Sequence, residues 1–204
     1  MEIKNLEKMK ERLFDKRFLL VDDNIDKGGS DEFIEKLFLL SLDKKDPVNV
    51  IIRTGGGSVE PGLGMYDALK SCPAETNAYV LTRCHSTGIA VLAGCSNHRI
   101  GLENSRYLFH SMRTRLTVLW PHPYGVSQEE QVRQELEKGA ITFEKLRKTS
   151  IENFKITADM YKKLCEDGEI SNTGITAEKA LELGMLTEVW DGKKEKWFWE
   201  KLLS

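Results

Sequence analysis

The sequence predicts an α/β protein of repeated β-α units, on three observations. Val48-Asn49-Val50-Ile51-Ile52-Arg53 is apolar and β-branched with little alternation, as a strand covered on both faces of a parallel sheet requires. Apolar strand patterns around residues 17–21 and 76–81 alternate with helical patterns over 31–42 and 58–71, the order of right-handed crossovers. Downstream, residues 127–156 carry a capping box, Ser127-Gln128-Glu129-Glu130, and then a long polar helical pattern.

Taken in order, residues 1–16 have a helical charge pattern with Leu6, Met9, Leu13 and Phe14 on one side. Asp22-Asp23-Asn24 reads as the turn after the first strand. Ser30 reads as the cap of a helix whose Phe33, Ile34, Leu37 and Phe38 form an apolar stripe. Thr54-Gly55-Gly56-Gly57-Ser58 reads as a glycine turn before a helix with Pro61 in its first turn. After the strand ending near Leu81, Cys84-His85-Ser86-Thr87-Gly88 runs into a short helix of small residues, and 97–101 and 106–109 continue the strand pattern.

Residues 111–126 hold two prolines and a glycine and read as a loop insertion, with a possible strand at Leu116–Trp120. The long helix of 127–156 has a stripe of Val132, Leu136, Ala140, Phe143, Leu146 and Ile151, too narrow for a core helix and suited to packing on a partner. A second helix is expected from Thr157 to Cys165, with Glu166-Asp167-Gly168 as its turn, and a third is capped by Thr176 and closed by Gly184. The tail, 191–204, carries Trp197, Phe198 and Trp199 and reads as a docking segment.

Length and composition set bounds. The chain has 204 residues, enough for one domain spanning 1–204 with a core that needs no disulfide or metal, and no cofactor is expected. A net charge of −2 gives no electrostatic ground for a nucleic acid or an acidic membrane as partner. Cys72, Cys84, Cys95 and Cys165 show no C-x-x-C pair, so four reduced thiols in the cytoplasm is the expectation. The N-terminal segment lacks the apolar stretch of a signal peptide, and no apolar run is long enough to span a bilayer.

The chemistry-bearing residues concentrate between Val48 and His110. A serine, Ser86, sits where a strand gives way to a helix; glycines whose amides suit an oxyanion precede it; a histidine, His110, ends a later strand. Each has a plainer explanation, Ser86 as a helix cap, the glycines as a turn and His110 as a half-buried polar residue. Their order together points to nucleophilic catalysis.

Thr54-Gly55-Gly56-Gly57-Ser58-Val59, Gly62-Leu63-Gly64-Met65-Tyr66-Asp67, His85-Ser86-Thr87-Gly88 and Asn104-Ser105-Arg106-Tyr107-Leu108-Phe109-His110 resemble successive motifs of the Clp protease proteolytic subunit. That family has Ser-Pro-Gly-Gly-Ser-Val, Gly-Leu-Ala-Ile-Tyr-Asp, Ala-Ser-Met-Gly and Asn-Ser-Arg-hydrophobic-Met-Ile-His there. The resemblance implies a ClpP/crotonase-like fold with residues 127–156 as a protruding handle helix. It also implies a homo-oligomer of stacked, heptameric rings and an AAA+ unfoldase or a ClpP-like paralogue as partner. Peptide or unfolded protein is the implied substrate, with Ser86 as nucleophile, His110 as base, and amides at Gly56, Gly57 and Thr87 around the oxyanion.

In this alignment Asn172 stands where the family has its catalytic aspartate, with Asp167 as a substitute five positions earlier. An asparagine carbonyl orients a histidine but supplies no charge to the imidazolium. The segment before the first helix is shorter than the family's, which bears on docking of an ATPase. Three readings follow: a serine endopeptidase, a weak or inactive scaffold subunit of the same fold, and an acyl-CoA enzyme of the crotonase type.

Overall fold

A computed structural model describes residues 3–43, 46–111 and 124–191. In chain order the elements are α1 (Ile3–Asp15), β1 (Phe18–Ile25), α2 (Lys27–Asp43), β2 (Val48–Gly57), α3 (Val59–Ser71), β3 (Thr76–His85), α4 (Gly88–Gly94), β4 (Arg99–Leu102) and β5 (Arg106–Leu108). There follow α5 (Gln128–Asn153), α6 (Ala158–Ser171), β6 (Ile175–Thr176), α7 (Ala177–Glu182) and β7 (Glu188–Trp190). The fold is α/β, as expected. The candidate strand at Leu116–Trp120 and the aromatic tail lie outside the described residues.

One seven-stranded sheet runs β1-β2-β3-β4-β7, all parallel, with β5 also parallel to β3 and β6 antiparallel to β5. Over Val48–Ile52, strand β2 is mainly apolar because both faces are covered: Val48, Val50 and Ile52 are fully buried on the larger core, and Ile51 meets Phe18, Tyr79 and Ile100 on the other face. Each fully buried Val or Ile contributes about 1.5–3 kcal/mol. The polar residue within that stretch, Asn49, is satisfied, its Oδ1 accepting from Asn77 Nδ2 at 3.0 Å and Tyr79 Oη at 3.3 Å.

Strand β3 changes neighbour along its length. Ala78–Val80 pair with β4, and Arg83–His85 pair with β5. This fork opens the sheet at the end of β3, where the candidate site lies.

Several local expectations are corrected. The glycine stretch is not a turn: β2 continues through Gly57, and Asp22–Asn24, also expected as a turn, remain strand because they pair with it. The cause is tertiary, since a Cβ on Gly57 would lie 2.2 Å from Ile25 O, so glycine there lets the two strands close. Helix α2 begins at Lys27, where Asp26 Oδ1 accepts from Gly29 N at 2.8 Å, while Ser30 donates its hydroxyl to Pro61 O at 2.9 Å. Within that helix Phe33 and Leu37 are core, whereas Phe38, placed on the same stripe from sequence, is 62% exposed.

Helix α6 runs through the expected turn at 166–168 to Ser171. Gly168 marks a contact: a Cβ there would lie 1.9 Å from Phe109 O, so the helix backbone packs against the chain end of β5. The caps read from Ser127 and Thr176 are present, and Thr157, expected as the first helical residue, caps α6 as well, each side chain accepting from the amide three residues on.

Helix α5 is two-sided along its length. Leu146, Thr149 and Ser150 are buried toward its end, while Leu136 and Ile141 are exposed. Its outer surface is tied by i,i+3 and i,i+4 ion pairs such as Arg133 with Glu130 and Glu137. Among the described residues, no helix is long and apolar enough to cross a membrane.

Candidate active site

The last residues of β3 carry the chain into α4 through Ser86, whose φ of 53° is left-handed. For a residue other than glycine this is uncommon and costs about 1–3 kcal/mol, sustained only where neighbours hold it. The neighbours are identifiable. Ser86 N donates to Leu108 O at 2.7 Å, Ile89 N donates to Ser86 O at 3.0 Å, and Thr87 Oγ1 donates to Gly57 O at 3.0 Å. Gly56, with φ 92°, lies so close that a Cβ on it would be 2.7 Å from Ser86 Cβ and 2.8 Å from His85 O. Gly62 makes the equivalent room for Thr87, whose methyl would be 2.0 Å from a Cβ there.

This is a strand-to-helix elbow that presents the serine hydroxyl at the sheet edge, braced by glycines of β2 and α3. The amide of Thr87 donates to no backbone carbonyl among the described residues, and it sits 3.2 Å from the position of a Gly56 Cβ. A vacant amide beside the glycine edge is what an oxyanion requires.

A cleft of about 570 Å³ runs along this edge, lined by Gly55, Gly56, Gly57, Ser86 and His110 with Arg83, Asp23 and the α5 residues Phe143 and Leu146. Four of the six residues singled out from sequence therefore line one cavity, Thr87 is buried directly beneath it, and Asn172 is not among its lining. Phe109 is anchored below, its ring edge-on to Tyr161 at 5.5 Å, so the next residue, His110, emerges at the cleft.

His110 Nδ1 lies 2.6 Å from the Ser111 carbonyl oxygen. A carbonyl only accepts, so Nδ1 carries the proton and Nε2 keeps the lone pair of a base. Among the described residues no hydrogen bond joins His110 to Ser86. Asn172 caps α6 in the left-handed conformation, φ 52°, and is exposed; its amide nitrogen bonds Gly168 O, and its side chain makes no hydrogen bond among the described residues. Asp167 is exposed on the same helix.

Three charged or titratable neighbours were not singled out from sequence. Arg83 lines the cleft and is 3.9 Å from Asp23. His85, half-buried and adjacent to the serine, has an Nε2 with no hydrogen-bond partner among the described residues, and its basicity is held below the ordinary value by burial, then by Arg83 and His110. Glu169 on α6 accepts from Ser111 N at 3.0 Å. A signal for His85 was present, since it stands where the resembled motif has alanine.

The thiol nearest the serine is no rival nucleophile. Cys84 is fully buried and its thiol is pushed far up by burial; Cys95, equally buried, rises to about 12. All four cysteines are free.

Comparisons with known proteins bear on the family and the fold. ATP-dependent Clp protease proteolytic subunit 1 of Protochlamydia amoebophila is 26% identical over 189 residues, covering 91% of this chain and 86% of that protein. The chloroplastic ATP-dependent Clp protease proteolytic subunit 3 of Arabidopsis thaliana is 31% identical over 100 residues, 48% of this chain and 32% of the relative. A solved structure of a ClpP1 mutant from Listeria monocytogenes shares the fold, with a TM-score of 0.71 over 95% of this chain and 99% of that one at 18% identity. The Clp protease family model matches residues 2–193, and the chain belongs to that family.

Proposed function

We propose that the chain is a serine endopeptidase subunit that cleaves peptides or unfolded proteins inside a ring-shaped oligomer. The observation that carries the proposal is the strained, glycine-braced Ser86 opening into the same cleft as His110. Ser86 Oγ attacks the peptide carbonyl and passes its proton to His110 Nε2, which returns it to the departing amine; water then releases the acyl group by the same route. The Gly56 amide already donates to Thr54 Oγ1 at 3.0 Å, so the amides of Gly57 and Thr87 hold the oxyanion, and losing one such donor typically costs about 10²–10³ in rate. A substrate backbone laid along the edge of β2 would be read by main-chain bonds more than by sequence.

Helix α5 suits the handle role between rings, since its exposed Leu136 and Ile141 would gain cover from a second copy. The relatives' names specify ATP-dependent proteolysis, and an AAA+ ATPase that feeds the ring belongs to the proposal. Phe38, Leu39 and Leu42 of α2 are exposed apolar residues available to such a partner.

One observation favours a second reading, a weak or silent scaffold subunit. His110 donates to a neutral carbonyl rather than to a carboxylate, and Ser86 is not bonded to it. The discriminating experiment is hydrolysis of a fluorogenic peptide and of an unfolded protein by the purified oligomer, beside Ser86→Ala. Serine-dependent cleavage supports the peptidase, whereas equal background rates from both proteins leave the scaffold.

A further inference from the structure

We infer that Glu169 is the positioning residue for His110, occupying the place in the mechanism for which Asn172 and Asp167 were the candidates by sequence. The inference rests on the serine peptidase reading and deepens it. Glu169 Oε1 accepts from Ser111 N at 3.0 Å, and the carbonyl of that same Ser111 holds His110 Nδ1 at 2.6 Å. One residue of backbone therefore links the carboxylate to the base.

Glu169, like Asp167, is exposed, but the helix backbone that carries it is fixed. Gly168, the residue before it, brings α6 against Phe109 O so closely that a Cβ would sit 1.9 Å away. Tyr161, two turns earlier on α6, packs edge-on to the Phe109 ring. The helix is thus docked on Phe109, and Glu169, one residue beyond Gly168, bonds the amide of Ser111.

Electrostatics supply the need. When His110 takes the serine proton it becomes a cation in a cleft already lined by the Arg83 guanidinium, with the His85 imidazole beside it on β3. Asp23 is the acid on that side, and its charge is directed to Arg83 at 3.9 Å. Glu169 is the acid bonded to the 110–111 backbone from the other side. Asp167, exposed on α6, and Asn172, at its cap, make no hydrogen bond to that backbone among the described residues. A carboxylate so located both holds the backbone that orients Nδ1 and stabilises the imidazolium as it forms.

The test is the rate of Ser86 labelling by a fluorophosphonate probe in the intact oligomer, from pH 6 to 9, for wild type, Glu169→Gln, Glu169→Asp, Glu169→Ala and Asn172→Ala. Glutamine keeps an acceptor for Ser111 N and removes only the charge. The expected pattern is a loss of about 10-fold or more for Glu169→Gln, partial recovery in Glu169→Asp, and a change of no more than about twofold for Asn172→Ala. Wild-type rates in Glu169→Gln at every pH, with or without a loss in Glu169→Ala, would overturn the inference while leaving the peptidase reading intact. A wild-type oligomer that forms no Ser86 adduct would overturn the peptidase reading and this inference with it.

Discussion

The two sides of the cleft are built differently. On the serine side, the conformation of Ser86 is imposed by backbone: a strand amide bonded to β5, a helix start, and glycines of β2 and α3 with no room for a side chain. On the histidine side, orientation depends on one bond to a neighbouring carbonyl and on a carboxylate delivered by a helix 58 residues further along the chain. The serine side is rigid and local; the histidine side is assembled from afar. A nucleophile needs one strained geometry, whereas a base needs a partner whose charge is felt, and under the proposed reading these needs are met by separate means.

The comparison is broken most severely at Gly56. Gly56→Ala would force a Cβ to 2.7 Å from Ser86 Cβ at a φ of 92°, and at least a 100-fold loss of Ser86 labelling is expected, on the order of losing an oxyanion donor. Thermal unfolding of the same variant should show a cost of about 1–3 kcal/mol. An alanine variant with wild-type labelling would show that the brace is dispensable.

Gly168→Ala tests the other side. Its Cβ must push α6 away from Phe109, so a stability loss of about 1–3 kcal/mol in urea titration is expected, with slower labelling because Glu169 moves with the helix. Loss of stability with unaltered labelling would separate α6 docking from the function of His110.

His85 gives a smaller, pH-dependent effect. Its folded-state basicity is depressed, so below about pH 6.5 the unfolded chain binds a proton that the folded protein resists, and stability falls as pH drops through that range. His85→Gln should flatten this acid-side decline in a pH series of melting temperatures; an unchanged slope would assign the decline to other groups.

The least effect is expected at the sheet edge. Asp22 is held below its ordinary carboxylate value chiefly by its hydrogen bond to Arg53, so its contribution is present above pH 3.8 and is lost as pH falls through the lower folded value. Both side chains are partly exposed, and solvent screening limits Asp22→Asn to about 0–1 kcal/mol, shrinking further with added salt.

How much was legible in the sequence follows the same division. The strand of Val48–Arg53, the serine before a short helix and the histidine after Phe109 were readable because each is a local pattern, and together they lie within 63 residues. The glycine stretch was misread as a turn because its strand character comes from pairing with β1, a contact that no window of local sequence contains. Glu169 was missed for a like reason. Gly168 looks like a helix stop until the Phe109 carbonyl is seen against it, and only then does the next residue face the base. Phe38 was assigned to the stripe of Phe33 and Leu37 by spacing, although the rotation of α2 on the sheet leaves it outside.

The most direct measurement is fluorophosphonate labelling of the intact oligomer with mass mapping of the adduct, beside Ser86→Ala and His110→Ala. The account predicts one adduct per chain, on Ser86, abolished by the first substitution and strongly slowed by the second. An adduct elsewhere, or none on a properly assembled oligomer, would contradict the claim that the glycine-braced Ser86 is an activated nucleophile.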